Sequence, residues 1–397
     1  MKNLTNFNTI GDYNTEVGEE ILSQPNVSLI QDSGKVIFSN TLPPYEEQYL
    51  TFIPLEDGQF SFRNISGASV SYSLDYGTTW VTLPNNTNTP TIEAGHKVFW
   101  KATELPTRYN GTYNLLSDYG CGFFASTCEF NVEGNVTSMM WGDNFNDEVY
   151  YQSDKKYHKK YYSISKNFYF NSLFMNCSNL IDASNLKLPF GTESGNTSYS
   201  SVGAGIYSYM FKGCTKLTAA PQLLASRCNT YCYFHMFENC SSLVTAPTIA
   251  SLNVNNKPES YAYNNMFYGC TNLSENIPTS LPYMWAKDND GDSEACYASM
   301  FSNCTSLTTA PILPSLHIPS AGYGAMFQGC TSLNYVKAMF VTPIVNNQID
   351  AYHNVYTRSW LDNVSNSGTF VKNASATWSV SGANGIPNGW TVQTASN

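Results

Sequence analysis

Hydrophobic and polar positions follow two different rhythms along the chain. Between residues 45 and 137 they alternate, as in "YLTFIPL" at 49–55, "QFSFRN" at 59–64, "SVSYSLD" at 69–75, "TWVTL" at 79–83, "KVFWKAT" at 97–103 and "CEFNVEG" at 128–134. Alternation turns one face of a strand to a core and the other to water. Turn signals such as Glu56-Asp57-Gly58 and Asp75-Tyr76-Gly77 separate some of these segments. Short strands at regular spacing predict a β-sandwich of immunoglobulin-like size over 45–137. Such a unit binds sugars or serves as a spacer. Spacer is the favoured reading, because the pattern alone identifies no carbohydrate cleft. Upstream, "VSLIQDSGKVIFS" at 27–39 predicts a small hairpin around Asp32-Ser33-Gly34, with Val27, Leu29, Ile30, Val36, Ile37 and Phe38 as its apolar positions. "LPP" at 42–44 reads as a stiff linker. An isolated hairpin is marginal in water. Residues 1–44 are therefore expected to be an arm that docks on a larger assembly; the alternative is an extra edge pair on the sandwich.

From residue 170 onward one eight-residue phrase returns six times. It reads LFMNCSNL at 173–180, MFKGCTKL at 210–217, MFENCSSL at 236–243, MFYGCTNL at 266–273, MFSNCTSL at 300–307 and MFQGCTSL at 326–333. Its cysteines are spaced 37, 26, 30, 34 and 26 residues apart, a 26-residue unit with insertions of 11, 4 and 8 residues. A period in this range marks a solenoid or array. An aromatic stands three residues before each phrase, Phe170 in the first copy. Tyr233, Met236, Phe237 and Cys240 fall at i, i+3, i+4 and i+7, which predicts a short helix in every copy. Only Asn or Gly precedes the phrase cysteine, namely Asn176, Gly213, Asn239, Gly269, Asn303 and Gly329. These residues tolerate the left-handed conformation that ends a helix. Leu-x-x-Ala-Pro then predicts a short extended stretch.

The phrase is thus read as scaffold. Its expected inward positions are Phe174, Cys177 and Leu180, followed by Tyr207, Met210, Phe211, Cys214 and Leu217 in the second copy. The third and fourth copies give Tyr233, Met236, Phe237, Cys240 and Leu243, then Tyr263, Met266, Phe267, Cys270 and Leu273. The last two give Tyr297, Met300, Phe301, Cys304 and Leu307, then Tyr323, Met326, Phe327, Cys330 and Leu333. One unit buries too little to offset the ordering of its own backbone, so neighbours must cover its flat sides. A cysteine ladder raises metal or redox chemistry as an alternative. Metal ligands must converge within a few ångströms, and these are spread one per unit, so core is the reading taken. Cys228, Cys232 and Cys296 read as core too.

The pattern F-x-x-C-x-x-L-x-x-A-P behind an aromatic resembles the BspA-type leucine-rich repeats found in surface proteins of Bacteroides and relatives. The same repeats occur in proteins of phages that infect them, including crAss-like phages. "GDNF" at 142–145 resembles the opening segment of such proteins, and "GTFVKNASATWSVSGANGIPNGWTV" at 368–392 resembles their closing segment. The resemblance covers about residues 45–395; the insertions at 188–205, 253–260 and 283–295 depart from it. It implies recognition and supplies no catalytic residues. The fold expected is mostly β with short helices: an N-terminal arm at 1–44, a β-sandwich at 45–137, an α/β leucine-rich-repeat solenoid at 138–340 and a C-terminal cap at 341–397.

Composition narrows the function. The 397 residues carry a formal charge of −10, which argues against nucleic acid and anionic membrane as partners. No apolar run is long enough to span a bilayer, and the first residues show no secretory signal. Charged residues are only 13 % of the chain, so neutral polar groups must keep it soluble, and 28 tyrosines suit a recognition surface. "DNDGDSE" at 288–294 misses the EF-hand spacing; a solvated insertion is favoured and a looser calcium site stays open. "SDKKYHKKYY" at 153–162 reads as a solvated loop or a contact for an acidic glycan. The histidines His96, His158, His235, His317 and His353 show no metal-ligand spacing. No catalytic, metal or cofactor residue is expected, and the ligand-binding residues stay open, as does a Cys121–Cys128 disulfide.

The function expected from these readings is a non-enzymatic phage virion protein, a head fibre or capsid decoration with an adhesive repeat module. The alternatives are a bacterial cell-surface adhesin, a phage tail fibre or a glycan hydrolase. Expected partners are other virion proteins through the arm, a glycan or host-surface ligand, and further copies of the chain in a homo-oligomer, with neither nucleic acid nor membrane.

Overall fold

Backbone amides in the repeat region are satisfied in strict alternation, and that alternation sets the architecture. The Met210 N–H donates to Tyr207 O within its own coil (3.2 Å), whereas the next amide, Phe211, donates to Met236 O of the following coil (2.9 Å). Lys212 then returns to Tyr209 O (3.1 Å) and Gly213 reaches Glu238 O (2.7 Å). Each coil is a run of overlapping four-residue turns, and half of its donors need the neighbouring coil. The computed structural model describes residues 28–32, 35–39, 47–64, 70–103, 120–151, 156–159, 167–189, 203–225, 227–252, 258–284, 293–341 and 356–395.

The expected α/β leucine-rich-repeat solenoid with a short helix per copy is not what forms. The α-helix among the described residues is α1 (Ser138–Trp141), and the regular structure is otherwise almost all strand. No i→i−4 ladder develops in the phrase, because a left-handed residue interrupts it every fourth position. In the third coil these are Tyr231, His235 and Asn239, at φ 60°, 54° and 61°. A four-residue turn repeats apolar positions almost as a 3.6-residue helix does, so eight residues of sequence do not separate the two. The Asn/Gly position does lie in the left-handed region, from 60° at Asn303 to 75° at Gly213 and Gly329. It is the third such position of each coil and ends no helix.

The alternating segments form β3 (Leu50–Pro54), β4 (Phe60–Asn64), β5 (Val70–Ser73), β6 (Val81–Leu83), β7 (Val98–Ala102), β8 (Gly122–Ser126) and β9 (Phe130–Asn135). They do not make an immunoglobulin-like sandwich. With β12 (Leu180–Lys187) they form one sheet of six strands in the order β12-β9-β3-β7-β5-β6, and a separate ribbon pairs β4 with β8. Phe52 and Trp100 of the sheet meet Phe124 of the ribbon with ring centroids 4.7 and 5.0 Å away. The sixth strand, β12 (Leu180–Lys187), comes from the first repeat and lies parallel to β9. One buried core runs without a break from Leu50 to Trp390, so sheet and coils grow out of each other.

Upstream, β1 (Ser28–Asp32) and β2 (Lys35–Ser39) pair only with each other, with Leu29 opposite Phe38, Ile30 opposite Ile37 and Gln31 opposite Val36. The edge-pair alternative for the hairpin therefore has no counterpart among the described strands; Val27 lies outside the described residues. β10 (Glu148–Tyr151) pairs with β11 (Lys156–Lys159). At the far end β13 (Tyr335–Ala338), β14 (Thr369–Lys372) and β15 (Thr391–Thr394) form a parallel sheet.

The Asn/Gly position alternates strictly from coil to coil, and packing explains why. A Cβ built on Gly213, Gly269 or Gly329 would collide with Oδ1 of Asn176, Asn239 or Asn303 of the preceding coil. Each Asn side chain leans over the next coil, which must then carry no side chain there. Gly269→Ala is expected to destabilise by about 1–2 kcal/mol in the native background, from left-handed strain plus this contact. Its cost should fall measurably in an Asn239→Gly background, because only the strain remains. Equal costs in both backgrounds, measured by urea denaturation, would contradict the packing argument.

Candidate functional site

The inward residues of the phrase are consumed by the scaffold. All twenty-eight are buried, the most exposed being Cys177 at 4 %. Phe124, Phe174, Phe211, Phe237, Phe267, Phe301 and Phe327 form one column, with successive centroids 5.4 to 5.9 Å apart. A second column runs from Phe170 through Tyr207, Tyr233, Tyr263, Tyr297 and Tyr323 to Trp360. Every column cysteine donates its Sγ–H to the phenylalanine carbonyl one coil back, from Cys177 to Phe124 O (2.8 Å) through Cys330 to Phe301 O (2.9 Å). Burial pushes the Cys177 and Cys330 thiols up to about 12. Among the described residues no group of three or more His, Cys, Asp or Glu could hold a metal ion.

The other two left-handed positions of each coil are not filled uniformly. Two residues before the column aromatic stand Phe168, Gly205, Tyr231, Tyr261, Ala295 and Ala321; one residue before the column methionine, or Leu173 in the first coil, stand Ser172, Tyr209, His235, Asn265, Ser299 and Ala325. Gly, Asn, Ala and Ser keep the steric cost of a positive φ low; Tyr and His do not. Tyr209 (φ 57°), Tyr231 (60°), His235 (54°) and Tyr261 (57°) all lie on the second to fourth coils. They stack in register: Tyr209 on His235 at 4.9 Å and Tyr231 on Tyr261 at 5.0 Å. Phe234 stands between the two stacks, edge-on to Tyr209 at 5.4 Å and to Tyr231 at 5.2 Å. All five side chains are half-buried.

Charged groups rim this cluster. Glu238 accepts from Lys212 Nζ at 2.9 Å and pairs with His235 Nδ1. Lys212 Nζ also lies 5.2 Å from the Tyr209 ring centre. Burial opposes the ionised Glu238, but hydrogen bonds from His235 and Lys212 outweigh it and hold the carboxyl below its ordinary value. Tyr261 Oη donates to Glu294 Oε1 at 3.1 Å. Burial, reinforced by Glu238 and Tyr231, raises the Tyr209 phenol to about 12. The rim presents hydroxyl, imidazole and carboxylate groups around an apolar centre. That suits a ligand with both polar edges and apolar faces.

The remaining sequence candidates lie elsewhere. In "GDNF", Asp143 accepts from Tyr49 Oη (2.6 Å) and from Lys101 Nζ (2.7 Å), which fastens this segment to β7 and to the residue before β3. Lys101 in turn sits 4.0 Å above the Trp80 ring. Cys121 and Cys128 are buried free thiols. His96 Nε2 lies 2.7 Å from Leu74 O, and His317 is exposed. His353 and most of the 288–294 insertion lie outside the described residues, as do Lys155 and Lys160; His158 is described by its backbone alone. No single repeat signalled the aromatic cluster, because the residue type in its slots changes along the array, from Tyr231 and Tyr261 to Ala295 and Ala321. No helix among the described residues is long and apolar enough to cross a membrane. No family model matches the chain, and no curated protein and no solved structure matches it.

Proposed function

We propose that the protein is a non-enzymatic structural component of a phage particle, a head fibre or capsid decoration. In this reading the aromatic cluster on its second to fourth coils is an adhesive face for a glycan of the host surface. The observation that carries the adhesive reading is the stacking in register of four bulky rings at left-handed backbone positions on adjacent coils; apart from Phe168 of the first coil, the other coils use small residues there. Such strain costs on the order of 1–3 kcal/mol per residue and collects where function repays it. Tyrosine and histidine hydroxyl and ring donors with two carboxylates match the hydroxyls of a saccharide, and the rings match its C–H surface.

A hydrolase reading has less support. Among the described residues the three carboxyls that their surroundings shift, Asp75, Asp143 and Glu238, are all held below their ordinary values, opposite to what a general acid requires. The particle placement is supported by the resemblance of the phrase and its flanking segments to repeat proteins of Bacteroides and their phages. Peptide mass spectrometry of gradient-purified particles tests it. The protein is expected in the particles at a fixed ratio to the major capsid protein; recovery only in the cell envelope would overturn the proposal in favour of a bacterial adhesin.

The arm supplies the attachment in this proposal. The β1–β2 hairpin has open edges on both sides among the described strands, and an added strand from a partner would satisfy one of them. Deleting residues 1–44 is expected to leave the far-ultraviolet circular dichroism of the body intact and to abolish incorporation into particles. Normal incorporation would contradict the anchoring role.

A further inference from the structure

The aromatic cluster continues beyond its stacked pairs. Phe168, at φ 57°, holds the first-coil position of the slot that carries Tyr231 and Tyr261, and Gly205 holds the second-coil position at φ 60°. A Cβ built on Gly205 would collide with Cε1 and Cδ1 of Phe168. The half-buried Phe168 ring thus fills the space that a second-coil side chain would take. Rings therefore occupy this slot from the first coil to the fourth, and Ala295 and Ala321 follow on the fifth and sixth. Tyr209 and His235 form a second row beside it, and Phe234 stands edge-on to Tyr261 at 6.4 Å.

Two properties of this surface constrain its ligand. It is periodic: Tyr231 and Tyr261 are 5.0 Å apart and Tyr209 and His235 4.9 Å, so like groups recur at each coil step instead of converging on one point. From Phe168 to Tyr261 is three coil steps, about 15 Å at that spacing. A pyranose with its linking oxygen is comparable in length to one step. The charges of the surface are also already committed. Lys212 and His235 both pair with Glu238, and Tyr261 Oη donates to Glu294. An acidic sugar would find these cations taken and would meet two carboxylates.

We propose that the ligand is a linear, uncharged polysaccharide, of which about three or four consecutive sugar residues lie along the coils from Phe168 to Tyr261. This inference rests on the saccharide reading of the cluster and specifies the chain that the site takes. Phe168 and Tyr261 are the two ends of the track, and Tyr231 and His235 are its middle. The rings meet the C–H surface of successive sugars, while phenol and imidazole groups exchange hydrogen bonds with their hydroxyls.

The test takes the bacterial surface polysaccharide that retains the protein, cuts it into fragments of one to six sugar residues, and titrates each into the full-length protein by calorimetry. Affinity is expected to rise about tenfold or more from the single sugar to the tetrasaccharide and then to level off. Phe168→Ala and Tyr261→Ala shorten the track from opposite ends, so each should bring the plateau one residue earlier and lower its affinity about tenfold. Alanine already stands in this slot at Ala295 and Ala321, so both variants should fold; the length dependence of the native protein is decisive even where one does not. A uronic-acid chain of equal length should compete at least about tenfold more weakly. Affinity independent of fragment length, a plateau unaltered in the folded variants, or preference for the acidic chain would overturn this proposal and leave saccharide binding standing. Retention by no saccharide would overturn the saccharide reading, and this inference with it.

Discussion

Phe237→Ala is expected to destabilise the protein by about 3–5 kcal/mol, near the upper end for a single truncation. Phe237 is fully buried at the middle of its column, 5.5 Å from Phe211 and 5.6 Å from Phe267 with nearly parallel rings. Its own amide donates to Met266 O (2.9 Å), and its carbonyl accepts the Cys270 thiol (3.0 Å). The backbone on both sides is therefore pinned and cannot close over the missing ring, so the cavity term is felt in full. Two ring stacks are lost as well. Phe234→Ala, three residues away but half-buried and facing outward, should cost roughly 1 kcal/mol. Urea denaturation of the two variants checks the contrast; similar losses would mean that the column is not the core of the coils.

Trp360→Ala is expected to cost a similar amount, about 3–5 kcal/mol, with its damage concentrated at the last coil. Trp360 is fully buried, donates Nε1–H to Gly385 O (2.8 Å), and lies 6.3 Å from Tyr323 and 5.7 Å from Phe340. It occupies the methionine position of a degenerate seventh turn, whose carbonyls at Arg358, Trp360 and Asp362 accept from Ala325, Phe327 and Gly329. Removing the indole loosens the surface on which the sixth coil closes. Amide exchange at Ala325, Phe327 and Gly329 should accelerate by on the order of a hundredfold, with a smaller effect at Phe211. Uniform acceleration along the array would contradict an end-localised role.

How much of this was legible in the sequence depends on how tightly each position is constrained. The column residues announced themselves, because a fully enclosed slot accepts few side chains and so returns the same Met, Phe, Cys and Leu. The Asn/Gly slot was also readable, since a positive φ beneath a leaning side chain leaves little choice. The turn path itself was not. Apolar positions spaced by three and four residues fit a helix and a run of four-residue turns equally, and the deciding signal sat at Tyr231 and His235, which are poor markers of a left-handed backbone. β8 was hidden in "GFFAST" because its alternation is only two residues deep. The join of β9 to β12 was hidden because parallel pairing between segments about fifty residues apart leaves no local pattern. The aromatic cluster lay beyond reach for a related reason: it is made by stacking side chains of neighbouring coils, so no single repeat contains it.

The most direct test of the adhesive face is binding of the purified protein to an array of bacterial surface saccharides, with Tyr231→Ala and His235→Asn combined in the comparison variant. Both replacements are residue types that other coils place in the same left-handed slots, so the melting midpoint should change little. Saturable retention of the native protein by at least one saccharide class is expected, with a loss of tenfold or more in affinity for the variant. Retention that is equal for both proteins, or no retention of the native protein by any saccharide, would contradict it.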